Sequence, residues 1–296
     1  MSIPQRPIAS RSRVRRAASA LELAGMRPSK SRGQNFLVQH AIAAEIVGAA
    51  QIEPGDTIVE IGPGLGILTE LIVDAAPRSL TLVELDSRLA ELLTKRFAGA
   101  AGVSVVNRDF LELAPSELRK IPFKVIGNLP FNSAAAILRR LAIWRDSILR
   151  MVLMFQREVA ERIRAAPGSR EYGALSLYTS LYWRVTGHFR VAAGSFHPRP
   201  KVDAEVLIIE PHHEPVFDPM MERDISAVVR AAFSAPRKTI RNSLAGGLRL
   251  EPKVVETMLE QAGIDPDARP AMLGVPHVAA LAASLRRAAN PSMHNA

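Results

Sequence analysis

The sequence predicts an α/β fold built on a mostly parallel sheet, followed by a small helical domain that begins near residue 211. Three observations carry this reading. From Thr57 onward, short apolar runs alternate with helical segments. Those runs are nearly continuous in apolar residues, as strands buried on both faces should be. Beyond Pro211-His212-His213 the strand signals stop, and residues 219–288 show helical periodicity broken by Pro236, Pro252, Pro266 and Pro276.

The elements follow in order. Residues 1–32 form a basic arm. Its apolar residues between Val14 and Leu23 recur near helical spacing, Gly25 sits where that helix would end, and Pro28 follows. Gly33-Gln34-Asn35-Phe36-Leu37 leads into an amphipathic helix over about Ala41–Ala50, and Pro54-Gly55-Asp56 makes a turn. Strands are expected over Thr57–Ile61, Ser79–Leu85, Val103–Val106, Phe123–Ile126 and Ile148–Phe155, with two more near Trp183–Phe189 and Ala204–Glu210. Helices are expected over Ile67–Asp74 and Ser87–Phe97. The domains so defined are the arm (1–32), an α/β domain (33–210) and a helical domain (211–296).

Composition narrows the chemistry. Hydrophobic residues are 48% of the chain, enough to bury a core, and there is no cysteine. That excludes disulfides, zinc–thiolate sites and a thiol nucleophile, and fits a reducing, cytoplasmic setting. No apolar run approaches the ~18 residues of a membrane span. The seven histidines show no metal-ligand spacing, so no metal is expected. Residues 1–32 hold eight Lys/Arg and one acid, whereas the remainder holds 30 against 28. Arg230, Arg237, Lys238, Arg241 and Arg249 form a second acid-free stretch at 225–250. Such concentration suggests a polyanionic partner; solvated surface is the plain alternative. The Arg- and Ser-rich start also has the composition of an organelle-targeting segment.

The loop Glu60-Ile61-Gly62-Pro63-Gly64-Leu65-Gly66 lies between a strand and a helix. Glycines let the backbone turn sharply and approach a ligand closely. Glu84 ends the next strand, 22 positions after Gly62, where a carboxylate can accept both hydroxyls of a bound ribose. A dinucleotide and S-adenosylmethionine both suit such a site. The dinucleotide fingerprint wants glycine at the position of Ile67; Glu-x-Gly-x-Gly-x-Gly resembles motif I of class I methyltransferases instead.

Asn128-Leu129-Pro130-Phe131 follows the fourth strand, at the carboxyl edge where α/β ligands bind. The tetrapeptide resembles the Asn/Asp-Pro-Pro-Tyr/Phe signature of amino-methyltransferases. An exocyclic adenine nitrogen is a poor nucleophile because its lone pair is delocalised into the ring. Acceptors at its amino hydrogens keep that pair on nitrogen, and the Asn128 oxygen with a carbonyl near Leu129 or Pro130 can serve. Pro130 stiffens the backbone and adds no competing N–H. Phe131 offers a stacking face for the base, worth ~1–3 kcal/mol.

Taken together these motifs resemble the KsgA family, ribosomal RNA adenine N6,N6-dimethyltransferases. The likeness spans about residues 13–285. It includes Gly33–Leu37, Glu60–Gly66, Glu84-Leu85-Asp86, Asp109, Gly127–Phe131, Phe155–Val159, Phe196–Asp203 and Arg237–Leu244. The resemblance implies a class I methyltransferase (Rossmann-like) sheet of seven strands, the last antiparallel. It implies S-adenosylmethionine as cofactor, contacted by Asn35, Leu37, Gly62, Gly64, Glu84, Asp109 and Asn128, with Asp109 accepting from the adenine amino group and Phe110 beside the ring. It implies a catalytic set of Asn128, Leu129, Pro130 and Phe131. It further implies two adjacent adenines of small-subunit RNA, in assembling 30S particles, as substrate for a monomer. The family usually has Tyr at 131, Ile-Ser-Thr-Pro in place of Ser133-Ala134-Ala135-Ala136, and an apolar residue at Arg32. Two rivals share the motifs: a large-subunit RNA methylase conferring macrolide resistance, and a mitochondrial transcription-factor relative that only binds nucleic acid. Phe233–Leu244 and Gly263-Ile264-Asp265-Pro266 favour the small-subunit enzyme, and the intact cofactor set disfavours the binder. Arg139, Arg140 and Arg145 are read as facing RNA or solvent, and Trp144 and Trp183 as core.

Overall fold

The computed structural model describes residues 34–289 other than 115, 119–121, 131 and 213. The arm over 1–32, Gly33, Phe131 and His213 lie outside the described residues. In chain order the elements are β1 (Phe36–Leu37), α1 (His40–Ala49), β2 (Thr57–Ile61), α2 (Ile67–Asp74), β3 (Ser79–Glu84), α3 (Ser87–Arg96) and β4 (Val103–Asn107). A 3-10 turn over Phe110–Glu112 precedes β5 (Phe123–Asn128), and a second over Ala142–Ser147 separates α4 (Ala134–Leu141) from β6 (Ile148–Gln156). Then come α5 (Arg157–Arg164), α6 (Ala174–Tyr182), β7 (Trp183–Val191), β8 (Phe196–His197) and β9 (Ala204–Pro211). The chain continues with α7 (Glu222–Ala232), α8 (Ile240–Leu248), α9 (Pro252–Gln261) and α10 (Val275–Ala289).

Packing forms two compact units. One runs to Ala160 and resumes over Val185–Pro211; the other holds Glu161–Arg184 and the residues from His212 onward. The sequence reading placed one cut at 211. The helical unit also takes in Glu161–Arg184, a segment that contains α6 and no strand signal before Trp183.

The sheet order is β4-β3-β2-β5-β6-β9-β7. Strands β2 to β6 pair in parallel, and β9, the last strand of the sheet in the chain, runs antiparallel to β6. The order reverses at β2, which has β3 on one side and β5 on the other. A crevice opens where such strands diverge at their carboxyl ends. On one face, Ile58, Leu80, Leu82, Ile126, Val152, Met154 and Val206 form a single cluster with Ala43, Ile46 and Val47 of α1 and Leu68 and Ile72 of α2. The α1 positions recur at helical spacing, which is why one face of that helix is apolar. Each large apolar side chain so buried contributes about 1.5–3 kcal/mol. Helix α3 starts at Asp86, whose Oδ1 accepts the Arg88 N–H at 3.1 Å, and it ends on Lys95 and Arg96, the favourable sign for its carboxyl end. Trp144 and Trp183 are 5% and 1% exposed.

In the helical unit Pro252 opens α9, where its missing N–H costs nothing, and the Thr239 hydroxyl caps α8 by accepting the Asn242 N–H. The Arg241 guanidinium lies 3.3 Å from both Glu256 and Asp267. It is therefore engaged within the unit, whereas Arg237 and Lys238 are exposed. Helices α7 and α8 cross at Gly247. A Cβ there would meet the Ala231 Cα at 2.5 Å and its Cβ at 2.6 Å, whereas one on Gly246 meets nothing within 4 Å. Gly247→Ala should lower unfolding free energy by roughly 1–3 kcal/mol through overpacking. Gly246→Ala, in the same helix, should raise it by about 0.5–1 kcal/mol. Urea denaturation of the two variants checks the contrast; equal effects would show that α7 and α8 do not approach this closely.

Candidate active site and cofactor cleft

A cleft of about 800 Å³, its open mouth included, lies at the carboxyl ends of β2, β3 and β5. Four stretches line it, with Leu89 of α3: Gln34–Leu37, the Gly62–Leu65 loop with the start of α2, Glu84–Asp86, and Asn128–Pro130. The loop leaves β2 with the Gly62 N–H bonded to the Val83 carbonyl at 2.9 Å, and closes with Gly66 N–H on Pro63 O at 2.9 Å. Gly62, Gly64 and Gly66 have φ of +67°, +57° and +79°, a region L side chains avoid. At Gly64 a Cβ would also sit 3.0 Å from the Phe36 ring.

Glu84 is 6% exposed. Its Oε2 accepts the Gly64 N–H at 3.1 Å and its Oε1 accepts the Asp86 N–H at 2.9 Å. From β4, the Asn107 side chain donates to the Glu84 carbonyl at 2.8 Å. An ionised carboxylate offers about four acceptor sites, so two backbone bonds leave two for a vicinal diol. Leu85 is 57% exposed at the cleft and presents an apolar surface to any ring placed beside that diol. Nothing in the motif spacing singles Leu85 out; its one signal in the sequence is a large apolar residue next to a strand-end acid.

Asn128 ends β5. Its Nδ2 donates to the Asn35 carbonyl at 3.2 Å. That bond settles which way the amide faces and leaves Oδ1 as an acceptor. The neighbouring Leu129 is 1% exposed, and its N–H donates to the Met154 carbonyl. The Pro130 carbonyl accepts the Ser133 and Ala134 N–H groups at 3.1 and 3.0 Å, which starts α4. The Asn35 stretch is itself held by a two-residue antiparallel ladder, Phe36 to His197 and Leu37 to Phe196, and by Val38 N–H on Ser195 O at 2.8 Å. The sequence reading had Gly33–Leu37 and Phe196–Asp203 as separate motifs; the ladder joins them.

Asn35, Leu37, Gly62, Gly64, Glu84, Asn128, Leu129 and Pro130 thus meet at one cleft. Asp109 does not line it. It stands two residues past β4 and caps the 3-10 turn, Oδ1 accepting the Leu111 N–H at 2.9 Å. Phe131 lies outside the described residues. Among the described residues no group of three or more His, Asp or Glu is placed to hold a metal ion, and no helix is long and apolar enough to cross a membrane.

The profile of the family described as "Ribosomal RNA adenine dimethylase" matches residues 26–277. The chain belongs to this family. As a member it is an S-adenosylmethionine-dependent rRNA methyltransferase. It is 40% identical over 269 residues to the Geobacter sulfurreducens protein named ribosomal RNA small subunit methyltransferase A, covering 88% of this chain and 96% of that one. The Moorella thermoacetica protein of the same name is 40% identical over 273 residues, covering 88% and 94%. Among solved structures, the 23S rRNA methyltransferase ErmE superposes with a TM-score of 0.63 at 28% identity, covering 85% of this chain and all of that one. A dimethyladenosine transferase from Plasmodium falciparum superposes at 0.72 with 23% identity over 85% and 98%, a likeness of fold.

A second acid of the dimethylase lies close to Glu84 without lining the cleft. Glu60, on β2, is 1% exposed; Oε2 accepts the Thr69 hydroxyl at 2.7 Å, and Oε1 has no partner among the described residues. Burial, with the Glu84 charge adding to it, pushes the Glu60 carboxyl from its ordinary 4.5 up to about 8. Burial, with the Asp86 charge adding to it, also raises Glu84, against the pull of the Asp86, Gly64 and Leu85 backbone N–H groups. At neutral pH Glu60 is therefore mostly protonated, and Glu84 keeps less repulsion behind it. The folded-state pKa of Glu60 is raised. Its contribution is harmless below pH 4.5, and stability is then lost progressively as pH rises toward 8, because the unfolded chain releases a proton that the folded one retains. Glu60→Gln should accordingly gain stability over the wild type between pH 5 and pH 8. Denaturation at both pH values measures the difference; a gap that stays constant would place the carboxyl in the ordinary range.

Proposed function

We propose that this dimethylase transfers methyl groups from S-adenosylmethionine to N6 of two adjacent adenines near the 3′ end of small-subunit (16S) ribosomal RNA. The product is N6,N6-dimethyladenosine, formed in assembling 30S particles by a monomeric cytoplasmic enzyme. The observation that carries the chemistry is the Asn128 amide, whose nitrogen is tied to the Asn35 carbonyl so that its oxygen remains to accept from an amino group. The RNA assignment is supported by relatives named for the small subunit at 40% identity, against 28% for the 23S enzyme ErmE.

The cleft fits the cofactor's chemistry. Glu84 has acceptor capacity for both ribose hydroxyls, and the Gly62–Gly66 backbone allows close approach by the chain that follows. Bound there, S-adenosylmethionine supplies an activated methyl on a sulfonium. The protein's part is then placement. Asn128 Oδ1 accepts one amino hydrogen of the flipped adenine. Of the two carbonyls expected to take the other, that of Pro130 already receives two N–H bonds from α4, so Leu129 is the better acceptor. Both bonds keep the N6 lone pair out of the ring and along the line to the methyl, and Phe131 provides the stacking face. The departing proton passes to solvent. Basic residues of the arm and around Arg237–Lys238 take phosphates, which position without reading sequence.

The test is mass mapping of RNA from 30S particles incubated with the protein and labelled cofactor. Up to two methyl groups on each of two adjacent adenines are expected, with naked RNA reacting poorly. Asn128→Ala should reduce transfer roughly 10²-fold while leaving S-adenosylhomocysteine affinity within a few-fold. Label confined to large-subunit RNA would overturn the substrate; label unaffected by Asn128→Ala would overturn the site.

A further inference from the structure

Arg140 was read from sequence as facing RNA or solvent, and the structure places it elsewhere. It sits in the last turn of α4, half-buried, with its Nε buried and without a hydrogen-bond partner among the described residues. Its Nη2 donates to the Leu113 carbonyl at 2.6 Å, and its guanidinium carbon lies 5.7 Å from the centroid of the Trp144 ring. Trp144 in turn packs on Phe110, centroids 5.7 Å apart and planes inclined at 51°. Stacking and a charge-assisted bond to a carbonyl fix the guanidinium in one geometry.

The two ends of this contact bear on the same reaction. Leu113 and Phe110 bracket the turn that Asp109 caps. Helix α4 begins on the Pro130 carbonyl, two residues past Asn128, so it is a rigid rod anchored to the acceptor loop. We propose that Arg140 is a positioning residue. By clamping the Asp109–Leu113 turn to α4, it keeps the carboxylate that meets the cofactor's adenine in register with the acceptor site at Asn128. This rests on the reading of Asp109 as acceptor for the adenine amino group.

The experiment compares two ligands on the full chain by calorimetry, S-adenosylhomocysteine and its 6-deamino analogue, which carries a purine riboside. The second has a C–H in place of the amino group, keeps N1 as an acceptor, and offers Asp109 no N–H. The wild type should prefer the first by about tenfold or more, the worth of one charge-assisted hydrogen bond. Asp109→Ala should abolish the preference. Arg140→Ala should bring it close to one while the melting temperature stays within a few degrees, and Arg140→Lys, which keeps a cation and a donor, should restore most of it. If Arg140→Ala does not fold, Arg140→Gln carries the same comparison. Equal losses for both ligands, with the preference intact, would show a merely structural role and overturn the inference. A preference that survives Asp109→Ala would overturn the adenine reading beneath it.

Discussion

The Glu84 carboxylate, nearly buried and bonded to the Gly64 and Asp86 N–H groups, is the contact from which the cleft takes its shape. It ties the Gly-rich loop to the end of the neighbouring strand, so the backbone that must approach a ligand is already folded back before one arrives. A buried carboxylate needs such bonds, because without them desolvation would drive it to protonate. Loop geometry and acceptor charge are thus one constraint. Gly64 has to be glycine twice over, for its positive φ and for the Phe36 ring beside it, and Glu60 behind the pair stays protonated near neutral pH because burial strips its charge of solvent, with the Glu84 charge on the adjacent strand adding to the effect.

The acceptor side obeys a similar economy of contacts. Asn128 is oriented by a carbonyl about ninety residues earlier in the chain, and that stretch is held in turn by a ladder to Phe196–His197. The site is therefore closed by segments from three widely separated parts of the sequence, gathered where the strand order reverses at β2. Placement of this kind suits a reaction whose methyl donor is already activated and needs orientation rather than a strong base.

Much of this was legible in the sequence, for physical reasons that also explain the rest. Strands such as Thr57–Ile61 and Ile148–Gln156 announce themselves because parallel strands buried on both faces are continuous apolar runs. Glu84 was reached by counting from Gly62, since a strand–turn–helix unit has a fixed length. The β1–β8 ladder was not legible: two residues per strand carry no periodicity. Nor was the place of Arg140, because a helical pattern shows which face is apolar but not which long cation folds back onto a neighbour. Nor was the local role of Asp109, which stands two residues past Asn107 at the end of β4 and caps the following turn, its side chain reaching the backbone two residues on. The segment Glu161–Arg184 went to the sheet domain because chain order placed it between two strands, whereas its packing is with the helices.

If Glu84 is prepared for a ribose before the cofactor binds, a crystal structure with S-adenosylhomocysteine should show it directly. Glu84 should keep both backbone bonds and take the two ribose hydroxyls on its remaining lone pairs, with Gly64 unmoved. A ribose bound elsewhere, or a Glu84 that swings away and releases the Gly64 N–H, would contradict it.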